Sequence, residues 1–153
     1  MTESLRSRIR RWRFNLFPAW RGTGAWITFL ADDFSEVRIR LPLGWRTRNY
    51  VGTIFGGSMY GAVDPIYMLM LIKRLGPGYI VWDRAASIRF RKPGRATLYA
   101  TCRLDDEELN AVRALLRETH RIDRRYTIHL EDEAGVVHAT VEKLIHIRRP
   151  SST

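Results

Sequence analysis

The sequence predicts a single α+β domain in which several antiparallel strands surround one buried helix. The first observation is an apolar run that Ser58 opens and that continues through Met59, Tyr60, Ala62, Val63 and Ile66 to Leu71 and Ile72. It is long enough for a helix and apolar almost all round, and such a helix belongs in the middle of a fold. The second is alternation: Val37, Ile39 and Leu41, then Tyr126, Ile128 and Leu130, then Val137, Ala139 and Val141 keep the two-residue period of half-buried strands. The third is size, since 153 residues with 45% hydrophobic content can bury a sizeable core and are too apolar for disorder.

Residues 3–16 read as a short amphipathic helix, with Leu5, Ile9, Trp12 and Leu16 at helical spacing among arginines and Pro18 and Gly22 ending it. The preferred reading packs this apolar stripe on the domain and leaves the arginines in water. The other sets the helix at a membrane surface or substrate entrance, because basic aromatic helices favour anionic interfaces. The expected organisation is an N-terminal helix over 1–20, the main domain over 21–148 and a disordered tail over 149–153. Residues 26–30 and 36–41 form two strands around an Asp32-Asp33 turn, and Pro42, Gly44 and Thr47 lead through a polar loop to Asn49. The central helix ends at Lys73 and Arg74, which suit a helix C-terminus, with Gly76-Pro77-Gly78 as its stop. Strands follow at 80–90, 97–104, 121–131 and 136–147, separated by turn signals at 92–94 and 132–135. Between the second and third of these, residues 105–118 read as a helix with Leu109, Val112, Leu115 and Leu116 on one side.

The formal net charge of +10 implies an anionic partner: nucleic acid, a membrane surface or a ligand with several phosphates. No phosphate-loop, zinc-finger, helix-turn-helix or RNA-recognition motif is present, so nucleic acid is not expected. Cys102 is the single cysteine, and His120, His129, His138 and His146 have no metal-ligand spacing; neither a disulfide nor a metal site is expected. No apolar run reaches membrane-spanning length without a charge or proline, and the basic N-terminus lacks a secretory apolar region, which makes the cytoplasm the default compartment.

Chemistry concentrates between Asn49 and Asp64, NYVGTIFGGSMYGAVD. Gly56 and Gly57 let the backbone turn tightly and approach a ligand. Asp64 is an isolated carboxylate on a segment expected inside, where desolvation or a ligand must account for it. A plainer account exists: Pro65 disfavours helical geometry at Asp64 and removes a hydrogen bond to the Gly61 carbonyl, so Asp64-Pro65 also reads as a kink.

The spacing Asn49-x-x-Gly52-Thr53-x-x-Gly56-Gly57, with Asp64 seven positions further on, resembles that of the hotdog-fold acyl-CoA thioesterases of the phenylacetate-degradation type. It is more similar to bacterial thioesterase-like hotdog proteins that carry Phe-Gly-Gly where enzymes usually carry His-Gly-Gly, and the similarity runs from about Trp12 to Ile147. The resemblance implies a curved sheet wrapped on the helix that starts near Gly57. It implies hydrolysis of an acyl thioester of coenzyme A or an acyl-carrier protein, with coenzyme A part of the substrate and no separate cofactor. It further implies a homodimer or homotetramer whose sites are each built from two protomers. In that site the Gly57 N–H polarises the carbonyl, Asp64 is general base or nucleophile, and Asn49 positions water or the carbonyl, unless it is only a turn-forming side chain. Gly56, Phe55, Met59, Tyr60, Tyr67 and Trp82 would surround an acyl chain. Asp83 stands where related enzymes place a serine or threonine that orients water; it replaces that residue or pairs with Arg84. Arg89, Arg91 and Lys92, with Arg84 and Arg95, clamp the nucleotide phosphates or form a solvated sheet face that discourages edge pairing. Phe55 supplies no imidazole, which argues against hydratase chemistry and supports the second reading, a non-catalytic acyl-CoA or lipid-binding module.

Overall fold

The computed structural model describes residues 3–150; positions 1–2 of the expected N-terminal segment and 151–153 of the expected tail lie outside the described residues. Six strands form one antiparallel sheet: β1 (Trp26–Leu30), β2 (Glu36–Leu41), β3 (Ile80–Phe90), β4 (Leu98–Arg103), β5 (Arg121–Glu131) and β6 (Val137–Arg148), in the order β1-β2-β4-β5-β6-β3. The helices are α1 (Leu5–Leu16), α2 (Pro18–Gly22), α3 (Gly56–Gly61), α4 (Ile66–Leu75) and α5 (Asp106–Thr119). The strands β2, β4, β5 and β6 contribute alternate side chains to one buried face. Val37 and Ile39, Leu98 and Ala100, Ile128 and Leu130, and Val141 and Ile145 bury there with Met59, Val63, Ile66, Met70 and Leu71 of the central helical segment. This is the expected α+β hotdog arrangement.

The central segment is not one helix. α3 stops at Gly61, residues 62–65 form turns, and α4 restarts at Ile66. Pro65 has no N–H to offer the preceding turn and its ring clashes with the carbonyl four residues back. The backbone tightens accordingly, with Val63 and Asp64 both donating to the Tyr60 carbonyl at 3.1 and 3.0 Å. The bend therefore falls at Asp64 itself. At the far end Gly76 stops α4 with φ +87°, a conformation that side chains rarely adopt. In α5 the Asp105 side chain accepts the Glu108 N–H at 2.8 Å, which starts that helix one residue later than its composition suggests.

The N-terminal helix is mounted the opposite way to the preferred reading. Its buried side chains are Ser7 and Asn15, while Leu5, Ile9, Trp12 and Leu16 are all more than half exposed. The reason is the sheet edge. β1 has a neighbour on one side only, and its outward N–H and C=O groups need partners. Asn15 accepts the Ile27 N–H at 2.8 Å and donates to the Ile27 carbonyl at 2.9 Å. Ser7 donates to the Leu30 carbonyl at 2.7 Å, and Leu30 N–H donates to Glu3 at 3.3 Å. The polar stripe of α1 thus serves as a sixth ladder, made of side chains, beside the five between strands. Replacing Asn15 by leucine leaves a buried donor and acceptor of Ile27 without partners. We expect it to lower unfolding free energy by about 2 kcal/mol in urea titration, against about 1 kcal/mol for Ser7→Ala.

At the opposite end of the sheet β3 is hydrogen-bonded to β6 alone and is largely exposed from Trp82 to Phe90. Its register shifts between Asp83 and Ala85: Asp83 pairs with Ile145 and Ala85 with Leu144, so Arg84 is an inserted bulge residue.

Candidate active site

The site is built from β6 upward. Alternate residues Ala139, Val141, Ile145 and Ile147 face the core, and Lys143 falls in the same row. Its side chain is fully buried, and a buried ammonium requires compensating charge and hydrogen bonds. Both are supplied. The Nζ donates to Asp64 Oδ1 at 2.6 Å and to Tyr60 Oη at 3.3 Å, and lies 3.1 Å from Asp83 Oδ1. The ammonium also sits 5.4 Å from the Tyr60 ring centroid, within cation–π range.

Each partner arrives for a local reason. Tyr60 precedes Asp64 by one helical turn, and its hydroxyl donates to Asp64 Oδ1 at 2.6 Å. Asp83 reaches Lys143 because its cross-strand partner Ile145 faces the core, and the bulge then sends Arg84 to the other face. There Arg84 donates to Asp123 at 2.6 Å, and Asp123 also meets His146 Nδ1 at 2.7 Å. The Asp83–Arg84 pair that the sequence allows is therefore replaced by two separate pairs on opposite sides of the sheet.

Electrostatics follow from this packing. Burial alone would drive Lys143 toward the neutral amine, but the hydrogen bonds and charges of Asp64 and Asp83 overcome it and raise its pKa. Asp83 is pushed above the ordinary carboxylate range by burial, with the Asp64 charge adding to the rise and Lys143 opposing it. Burial and the hydrogen bond to Asp64 raise the Tyr60 phenol, which stays protonated and donating. The hydrogen bonds to Asp64 both end on Oδ1, and 43% of its side chain is exposed. Among the described residues nothing hydrogen-bonds Oδ2, which is left as an uncommitted carboxylate oxygen on a rigid support.

At the other end of α3, the Phe55 carbonyl accepts from Ser58 and Met59 N–H at 3.0 and 3.1 Å. The N–H groups of Gly56 and Gly57 precede these first helical bonds. A Cβ on Gly57 would lie 2.3 Å from Phe55 Cε1, and one on Gly56 would lie 2.8 Å from Phe90 Cζ. Each glycine thus gives room to a phenyl ring, and both rings are exposed by 57%. Asn49 closes the preceding turn: its Oδ1 accepts Val51 and Thr53 N–H at 3.1 and 3.0 Å, and its Nδ2 donates to Thr53 Oγ1 at 2.8 Å.

The remaining expected residues divide into three places. Gly56, Met59, Phe90, Arg91 and Lys92 share a cleft of about 360 Å³. Arg91 is tied to β6 by a hydrogen bond from Nε to Thr140 at 3.0 Å, while Arg89 projects from the opposite face to Phe90. Met59 and Tyr67 belong to the core, Tyr67 stacked on Tyr126 with centroids 4.4 Å apart. Trp82 lies on the outer sheet face beside Arg84, Asp123 and His146, across from the Lys143 row. Among the described residues no cluster of three histidine, cysteine or acidic side chains is arranged to hold a metal. Cys102 is buried and its thiol is pushed up to about 12 by that burial, so it is no nucleophile at neutral pH.

Lys143 is the member of this constellation that motif spacing does not disclose. The signal for it is the two-residue period itself: continued from Val137, Ala139 and Val141, the core-facing row places a lysine where every neighbour is apolar.

The sequence profile of a domain of unknown function, DUF4442, matches residues 6–147. No curated protein matches the chain. Among solved structures it is similar to a Pseudomonas aeruginosa protein of unknown function described as a probable thioesterase, with 20% identity and a TM-score of 0.82 over 97% of this chain and 99% of that one. A thioesterase from Haemophilus influenzae superposes with 14% identity and a TM-score of 0.67 over 99% and 95% of the two chains. A mutant thioesterase from Pseudomonas aeruginosa does so with 12% identity and a TM-score of 0.69 over 98% and 97%. At such identities the likeness is one of fold. In architecture the chain is a single hotdog-like α+β domain, and by its sequence it belongs to the DUF4442 family.

Proposed function

We propose that this protein hydrolyses acyl thioesters of coenzyme A at a site shared between two protomers. The observation that carries the reading is the Asp64 carboxylate, fixed through Oδ1 by Tyr60 and buried Lys143 while Oδ2 remains free. A base or nucleophile needs one exposed lone pair in a fixed direction, and this arrangement supplies it. The complementary group, a carbonyl polariser, is the Gly57 N–H at the start of α3, beyond reach of the same chain's Asp64 at the far end of that helix. The open edge of β3 supports this reading, since pairing with a second copy there would bring one protomer's Asp64 toward its partner's Gly57.

In this mechanism the thioester oxygen accepts from Gly57 N–H as negative charge develops, and Asp64 Oδ2 takes a proton from the attacking water. The C–S bond then breaks and the thiolate leaves with that proton; where Oδ2 attacks directly, the thiolate leaves first and water hydrolyses the resulting anhydride. Lys143 and Tyr60 hold Oδ1, Asp83 balances the Lys143 charge, and Asn49 is a positioning residue that shapes the loop leading to Gly57. Arg91 and Lys92, beside Gly56, offer cations to the nucleotide phosphates. Phe55 and Phe90 over the paired glycines favour an aliphatic or aromatic acyl group, consistent with the phenylacetate-type motif. A substrate of this class sets the reaction in the cytoplasm, in acyl-group or fatty-acid metabolism.

The test is thiol release from a panel of short, long and aromatic acyl-CoAs, run beside equilibrium binding to the same panel. Release from at least one member is the expected result, and its acyl group names the substrate class. The Phe55 ring beside Gly57 favours a second reading, a binding module without turnover. Binding of the panel with no thiol release replaces the enzyme reading by that one.

A further inference from the structure

Among the described residues nothing covers the outward stripe of α1. Leu5, Ile9, Trp12 and Leu16 are exposed by 72%, 55%, 52% and 57%, and Phe17 extends the stripe at 61%. They are not surplus to a buried face, because the face of α1 that meets the sheet is the polar one, committed to the β1 edge through Ser7 and Asn15. Advancing about 100° per residue, Arg6 and Arg13 flank the stripe on one side and Arg8 on the other. No acidic residue lies within α1. Where the stripe reaches Phe17, a cleft of about 450 Å³ opens, lined by Arg10, Arg13 and Lys73 with Phe14, Phe17 and Phe34.

We propose that α1 is an interfacial helix that docks this protein on an anionic lipid bilayer. Apolar side chains enter the acyl boundary, the flanking arginines extend back to the headgroups, and the cationic aromatic-walled cleft receives a lipid phosphate. Charge selects this occupant. A second copy apposed through the same stripe would bring its own arginine rim against this one, whereas a layer of lipid phosphates complements it. With twelve residues α1 lies along the surface rather than across it, and among the described residues no helix is long and apolar enough to cross a membrane. The protein's net charge of +10 adds attraction at longer range. The docking is independent of the proposed thioester chemistry, since α1 contributes none of those residues.

The experiment is co-sedimentation of the full chain with vesicles of phosphatidylcholine alone or mixed with phosphatidylglycerol, at low and high salt. The protein is expected to pellet with the mixed vesicles and to be released by salt. Ile9→Ser/Trp12→Ser/Leu16→Ser should weaken that binding by on the order of 10-fold or more, with unchanged melting and thiol release. Arg6→Gln/Arg13→Gln should weaken binding to mixed vesicles by a similar factor and remove most of its salt dependence. Absence of vesicle binding, or equal binding by the triple-serine variant, overturns the proposal. A wild-type mass that falls on light scattering in the triple-serine variant, without vesicle binding, assigns the stripe to a second copy instead.

Discussion

Asp64→Asn should lower thiol release from acyl-CoA by on the order of 100-fold or more while binding of the substrate persists. The substitution keeps the shape of the side chain. Tyr60 and Lys143 are both donors, so the amide oxygen must occupy the Oδ1 position and the NH2 group must point outward. A hydrogen-bond donor then replaces the free carboxylate oxygen, and neither proton abstraction nor attack is available. The stoichiometry of substrate binding distinguishes this from simple misfolding, which would lower the number of binding sites along with turnover. Retained turnover removes Asp64 from the chemistry and leaves it the ion pair that holds Lys143.

Lys143→Met should be the most destabilising single change near the site, by about 3 kcal/mol, with a fall in Tm on the order of 10 °C. The loss comes from the partners more than from the lysine: two carboxyls are left facing each other where one ammonium had separated them. The partial exposure of Asp64 keeps the figure at the lower end of what a broken buried pair costs. The effect should depend on pH. Because Asp83 is raised in the folded protein, its contribution is fully present below its unfolded pKa and lost as pH rises through the folded value. Removing Lys143 takes away the charge that opposes the rise. The variant's deficit should therefore be larger at neutral pH than in mildly acidic solution, and Asp83→Asn in the Lys143→Met background should recover part of it. A deficit independent of pH and unaffected by Asp83→Asn contradicts this account of the site.

Much of the fold was legible because burial imposes a period. Trp26–Leu30, Ile80–Phe90 and Arg121–Glu131 are strands with the limits their patterns suggest, and the apolar run after Ser58 is the centre of the core. What escaped lies where local pattern and tertiary demand differ. Pro65 was visible, yet whether it bends a helix or merely follows a functional acid is settled by packing; here the bend and the acid coincide. The stripe of α1 reads as a core-facing surface because apolar residues usually go inside. It does not go inside because the unpaired N–H and C=O groups of β1 need Asn15 and Ser7 more than the core needs Leu5 or Trp12. The inserted Arg84 cannot be recognised in a strand that alternates plausibly without it, and with it went the true partners of Asp83. The motif gave Asp64 a position but no environment; Tyr60 and Lys143 supply that from one helical turn and from a strand 79 residues away.

The two ends of the sheet have unequal capacity for growth. The outer groups of β1 are occupied by side chains of its own α1, while β3 offers a strand of 11 residues with a neighbour on one side only. An antiparallel β3–β3 contact relates the copies by a two-fold axis and uses up the free edge of each. Such addition would close on itself after one step, and Ser7 and Asn15 would then be what keeps a molecule with an exposed β3 from growing into a fibre. Detaching α1 would open the second edge. The form of this protein prone to indefinite polymerisation is thus one truncated before β1, which keeps the core residues of all six strands but loses Trp20 and Ala25.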